Sequence, residues 1–121
     1  MKKYGYEQKI WEDGKKEIRS ILIQVARSED MISYSALCGK LKKIKIDYDS
    51  LALGPMLGEV SSEEYDRGHP LLSVIVIHKL GDQMPGPGFF ELAGSLKMKV
   101  PDKVKFWSDE VKKVYKFWKS N

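Results

Sequence analysis

The sequence predicts an α+β fold: N-terminal helices, then a β-hairpin, then a C-terminal amphipathic helix. Three observations carry that expectation. Apolar residues recur at helical spacing through the N-terminal half, and the apolar run Leu71–Ile77, broken only by Ser73, predicts a strand. Helical spacing then returns in an aromatic, lysine-rich C-terminal segment. At 121 residues the chain suits one domain spanning 1–121, long enough to bury a core without metal or disulfide support.

The first helix is expected over about Tyr6 to Arg27. Trp11, Ile18, Ile21, Leu22 and Val25 form its buried stripe. Gly14 weakens its middle by roughly 1 kcal/mol relative to alanine, so Ile18–Val25 is its secure part. A second helix starts at Ser33, whose hydroxyl can cap free N–H groups, and carries Tyr34, Leu37, Cys38 and Leu41 on one face. Lysines at 40, 42 and 43 complement its negative end. Ile44-Lys45-Ile46 alternates as a short extended connection.

Gly54-Pro55 suits the start of a third helix, with Met56, Leu57 and Val60 inward. Ser61 and Glu64 have capping-box spacing, which would open a further turn, and Gly68 suits a C-terminal stop. The strand Leu71–Leu80 is apolar on both alternating faces, so both should be covered. Gly81–Gly88 is the expected turn, and Phe89-Phe90-Glu91-Leu92 begins a return strand or a helix. The final helix, about 107–119, places Trp107, Val111, Val114, Tyr115 and Trp118 on one stripe, with Ser108 as its cap.

Charge is segmented along the chain. Residues 1–45 hold eleven basic and six acidic side chains, whereas residues 46–70 hold Arg67 against six carboxylates. Residues 97–121 return to a net positive charge, and the whole chain carries +4. Basic surface of this kind attracts polyanions, although a solvated lysine face gives the same pattern. The single cysteine, Cys38, excludes an intramolecular disulfide and suits a reducing, cytoplasmic compartment. No apolar segment reaches the ~20 residues of a membrane span, and MKKYGYEQK lacks the apolar stretch of a secretory signal.

The order helix, helix, short helix, hairpin resembles that of a winged helix-turn-helix domain. Ser33–Lys42 would be its second helix, Pro55–Val60 part of its recognition region, and Leu71–Leu92 its wing. Pro70-Leu71-Leu72-Ser73, Val76, Lys79, then Pro85-Gly86 and Gly88-Phe89-Phe90, are similar to a stretch in small uncharacterised bacterial and phage-type proteins. Phe106-Trp107 and Tyr115–Trp118 belong with that likeness. It covers about two thirds of the chain, implies a fold, and carries no activity.

Function follows from these expectations. Lys40, Lys42, Lys43 and Lys45 are the candidate nucleic-acid contacts, DNA first, with low sequence selectivity because lysine lacks arginine's planar fork. Gly86, Gly88, Phe89 and Phe90 are the candidate ligand loop: glycines allow close approach and phenylalanines can stack on a base. The alternative is a protein-interaction or small nucleotide-ligand module, with Glu59, Glu63, Glu64 and Asp66 facing a basic partner. An uncovered strand face would also allow a homodimer. No catalytic residue is assigned: neither a G-x-S-x-G elbow nor a Walker loop occurs. His69 and His78 suit a turn and a core or edge position better than a metal site, and Asp13 with Lys15 has the form of a nuclease-like carboxylate–lysine pair, which arises readily by chance in a chain 31% charged. No cofactor or metal is expected.

Overall fold

The computed structural model describes residues 2–79, 81 and 83–121. The chain folds as a helical assembly. Lys2–Lys3 (β1) and Tyr6–Glu7 (β2) form a small antiparallel ladder ahead of the long helix Gln8–Arg27 (α1). Ile32–Ser33 (β3) leads into Tyr34–Lys40 (α2), and a loop reaches Leu53–Asp66 (α3). A 3-10 turn, Leu72–Ile75, runs into Val76–Ile77 (β4), followed by Pro87–Ser95 (α4) and Lys103–Ser120 (α5).

The core lies among α1, α3 and α5, with the 3-10 turn wedged between them. Trp11, Ile18 and Leu22 of α1 are fully buried, as are Met56 of α3 and Val114 of α5. Gly14 does not break α1. A Cβ there would stand 2.8 Å from Ile44 Cγ2, so the bare backbone is the seat of the 44–46 connection. Ile44 and Ile46 are buried and Lys45 between them is exposed, although no strand forms.

Local signals set several boundaries. Ser33 Oγ accepts the Ala36 N–H at 3.1 Å and caps α2. Gly68, at φ +79°, follows the end of α3 in the left-handed conformation glycine tolerates. Asp102, rather than Ser108, caps α5: its Oδ1 accepts the Lys105 N–H at 3.1 Å. Pro55 falls at the third helical residue of α3, where an N–H still has no intrahelical acceptor. The capping box does not form, because Ser61 and Glu64 both lie inside α3 and point at other elements.

The winged-helix expectation is overturned. Leu71–Leu92 is not a hairpin wing: apart from Leu80 and Asp82, which lie outside the described residues, it holds a 3-10 turn, two strand residues and the start of α4. The two strand residues pair in parallel with β3, Ile32 opposite Val76 and Ser33 opposite Ile77. The physical reason is burial on every side. Leu71, Leu72, Val74, Ile75 and Val76 are all fully buried, and Trp107 Nε1 donates to the Val74 carbonyl at 3.2 Å. Glu110, itself buried, accepts the Leu71 N–H at 2.8 Å. Three helices thus satisfy an apolar run that a two-stranded wing would leave half exposed. The Pro-Gly repeat, expected as a hairpin turn, instead places Pro87 at the first position of α4.

Candidate nucleic-acid interface

The acidic third helix is neutralised from within. Lys15, nearly buried on α1, meets Glu63 at 2.5 Å, Glu12 at 3.0 Å and Glu59 at 3.1 Å. Burial pulls its ammonium towards lower pKa, but the three carboxylates outweigh this and raise it. Glu59 also accepts from Trp11 Nε1 at 3.0 Å and pairs with Lys3 at 2.6 Å. Glu64, 0% exposed, meets Arg19 Nε at 2.7 Å, Arg67 at 2.6 Å and His69 Nδ1 at 2.9 Å. Of the expected acidic docking patch, only Asp66 forms no ion pair among the described residues, and it is exposed. Asp13 pairs with Lys9 at 2.7 Å and Lys15 turns to the glutamates, so the two do not form a catalytic couple.

The basic segment after α2 is different. Lys40, Lys42, Lys43 and Lys45 are exposed, and none has a carboxylate within ion-pair distance among the described residues. Their backbone is nevertheless fixed. Glu17 of α1 accepts the N–H groups of Lys42 and Lys43 at 2.8–2.9 Å, and the Lys45 carbonyl accepts from Tyr6 Oη at 2.7 Å. A cationic loop is thereby held against α1 without its ammonium groups being neutralised.

One cleft runs along this loop and a second adjoins the first. The first, of about 560 Å³, runs along Cys38, Lys42, Lys45 and Asp47. Burial, then Asp47, pushes the Cys38 thiol up to about 11, so it stays protonated at neutral pH and has no thiolate chemistry. The second, of about 600 Å³, is lined by Tyr34, Tyr48, Asp49, Ser50, His78 and Lys79 with the first turn of α3. Ser35 and Tyr48 belong to both linings, so the clefts adjoin across Tyr48.

The parallel ladder assembles the second cleft. With Ser33 opposite Ile77, the residues that follow the two strands, Tyr34 and His78, come together with ring centroids 5.1 Å apart. The Gly86 N–H donates to Tyr34 Oη at 2.8 Å. A Cβ on Gly86 would stand 3.4 Å from both Tyr34 Oη and His78 Nε2. Burial raises the Tyr34 hydroxyl above its ordinary pKa against the opposing effect of the Gly86 bond, so it remains a neutral donor.

Of the expected ligand loop, Gly86 makes its close approach to Tyr34 of the same chain, and Gly86, Gly88 and Phe89 together border a smaller pocket of about 170 Å³ with Gly54, Gly58 and Leu92. Phe89 is 7% exposed and packs on Phe106 and Phe90, so its ring is not free to stack. Phe90 is half-buried beneath Lys103 Nζ, 5.5 Å from its centroid. His78, expected in the core or at an edge, is exposed just past the end of β4, and Tyr34, Tyr48 and Lys79 join it although they carry no motif. No group of histidine, cysteine and carboxylate side chains able to hold a metal occurs among the described residues. No helix among them is long and apolar enough to cross a membrane.

Comparison with protein-family models, with curated proteins and with solved structures gives no match for this chain.

Proposed function

We propose that this protein binds nucleic acid without catalysing a reaction on it, with low sequence selectivity. The observation that carries this reading is the unneutralised cluster Lys40, Lys42, Lys43 and Lys45, its backbone fixed by Glu17; Lys42 and Lys45 border a cleft that adjoins an aromatic-lined one at Tyr48. Ammonium groups without internal carboxylate partners attract phosphates, and each phosphate contact releases condensed counterions. Glu59, Glu63 and Glu64 of α3, which would otherwise repel a polyanion, are compensated by Lys3, Lys15, Arg19 and Arg67. Lysine contacts position a backbone rather than read bases, hence the low selectivity.

The test is fluorescence anisotropy of a labelled random-sequence oligonucleotide at low and moderate salt. Wild-type protein should bind in the micromolar range and release as salt rises. The triple change Lys42→Glu, Lys43→Glu, Lys45→Glu should weaken binding and flatten the dependence on salt. Unchanged affinity in the triple variant sinks the assignment to this loop.

A second reading, a small nucleotide ligand, draws on the cleft itself. Its volume of about 600 Å³ lies within the ~300–1,000 Å³ of small-molecule sites. A mononucleotide that saturates the protein and displaces no oligonucleotide would favour that reading. A protein partner has less support, because Glu59, Glu63 and Glu64 already hold internal cations.

A further inference from the structure

We infer that the ligand is single-stranded, and that the cleft between Tyr34, Tyr48 and His78 receives one of its unpaired bases while the neighbouring lysines hold the adjoining phosphates. The inference rests on the nucleic-acid reading above and specifies its substrate.

Three π-systems line one cleft: the tilted pair Tyr34 and His78, 5.1 Å apart, and Tyr48 at the border with the neighbouring cleft. Tyr48 is 61% exposed and its hydroxyl makes no hydrogen bond among the described residues. An aromatic side chain held in water by a segment of aspartate and serine gains nothing from the core. It presents a face on which any base can stack, an interaction open only to bases outside a duplex.

Charge is distributed to match. Lys42 and Lys45 border the neighbouring cleft together with Asp47, and Lys79 lines the aromatic cleft. Asp49 lies in the aromatic cleft itself. A carboxylate repels phosphate but accepts hydrogen bonds from base amino groups, so Asp49 beside the rings suits a base, while Lys42, Lys45 and Lys79 supply charge for the backbone. Ser35, Ser50 and the Tyr34 hydroxyl add neutral hydrogen-bonding groups to the same lining. A duplex offers no base edge free to enter such a cleft from the side of a stacking ring. A single strand does.

The experiment compares a labelled single-stranded 12-mer with its duplex, using wild-type protein and the variants Tyr48→Ala and Tyr48→Phe. Wild type should bind the single strand at least tenfold more tightly than the duplex. Tyr48→Ala should lose about tenfold on the single strand, within the range of base–aromatic stacking, and little on the duplex. Tyr48→Phe should retain wild-type affinity. Because Tyr48 is exposed, thermal melting of both variants should match wild type, which separates a lost contact from a lost fold. Equal binding of strand and duplex, or an unaffected Tyr48→Ala variant, overturns the inference; a continuing loss in the lysine triple variant would leave the nucleic-acid reading standing. Absence of binding to both oligonucleotides at low salt overturns that reading and this one together.

Discussion

Arg19 Nε on α1 meets Glu64 Oε2 on α3 at 2.7 Å, across 45 residues of sequence, and Glu64 is entirely removed from solvent. A buried carboxylate survives only when its charge is matched and its lone pairs are filled. Arg67 fills one site at 2.6 Å and His69 another at 2.9 Å. The His69 ring continues the contact into α5, with centroids 4.4 Å from Phe117 and 5.6 Å from Trp118, while the Arg19 guanidinium lies 5.5 Å over Trp118. One carboxylate therefore joins three helices. Glu64→Ala should destabilise the protein by about 1–3 kcal/mol, because it removes the shared partner of two guanidinium groups that are 36% and 49% exposed and can turn to water. Urea unfolding monitored by tryptophan fluorescence would measure this. A loss under about 1 kcal/mol would show that the cluster is incidental to stability.

The same cluster fixes the response to acid. Burial pushes the Glu64 carboxyl up, but hydrogen bonds and charge from Arg19 and His69 outweigh it and lower its pKa below the reference 4.5. Glu59 is lowered in the same way, burial being outweighed by Lys3, Trp11 and Lys15. For a carboxylate with a depressed folded-state pKa, the stability it contributes is present above its unfolded value. That stability is lost as pH falls through the folded value. The melting temperature should therefore hold above pH 4.5 and drop steeply below it. Glu64→Gln should flatten part of that drop. An identical acid profile in wild type and variant would remove Glu64 from the explanation.

Gly14 offers a test of packing against propensity. Alanine is favoured over glycine in a helix by about 1 kcal/mol, so propensity alone predicts that Gly14→Ala stabilises α1. The structure predicts the reverse. The new Cβ would stand 2.8 Å from Ile44 Cγ2 and 3.2 Å from Ile44 Cβ, next to the branch point of the side chain, with no flexible tip to move aside. Overpacking of this kind costs about 1–3 kcal/mol. Gly14→Ala should lower the melting temperature, and combining it with Ile44→Ala should cost less than the two single changes added. Simple additivity in that cycle would place the clash elsewhere.

How much of this was legible in the sequence depended on range. The stripe Val111, Val114, Trp118 identified α5, and Ser33 and Gly68 marked the start of α2 and the end of α3, because these signals act over a few residues. The run Leu71–Ile77 announced burial on all sides without stating the backbone conformation. A 3-10 turn among helices and a central strand leave the same apolar trace. Pro85-Gly86-Pro87-Gly88 has the local pattern of a turn, whereas Pro87 at the first position of α4 is the informative residue. The candidate site was half legible. The lysines stood out by composition, but Tyr34 and His78 meet only through a parallel ladder whose register no local turn fixes. The pairing of α1 cations with Glu59, Glu63 and Glu64 of α3 is equally long-range, so the sequence shows the carboxylates as an acidic patch without the cations that meet them.

Ser61 and Ser73 share a buried hydrogen-bond pair that the expected capping box concealed. Ser61 Oγ accepts the Ser73 N–H at 2.9 Å, and the two hydroxyls lie 2.6 Å apart. Both residues are buried, so neither has water as a substitute. The two truncations are therefore unequal. Ser73→Ala removes one hydroxyl and leaves the backbone N–H still bonded to Ser61, so it should cost about 1 kcal/mol. Ser61→Ala leaves both the Ser73 N–H and the Ser73 hydroxyl unpaired in the core, at about 1–3 kcal/mol for each stranded group. Denaturant titration of the two variants would compare them, and the double variant should be no less stable than Ser61→Ala alone, since it removes one of the stranded groups. If Ser73→Ala proved the more damaging change, the N–H bond would not be the interaction that seats the 3-10 turn on α3, and packing around Ser73 would have to take its place.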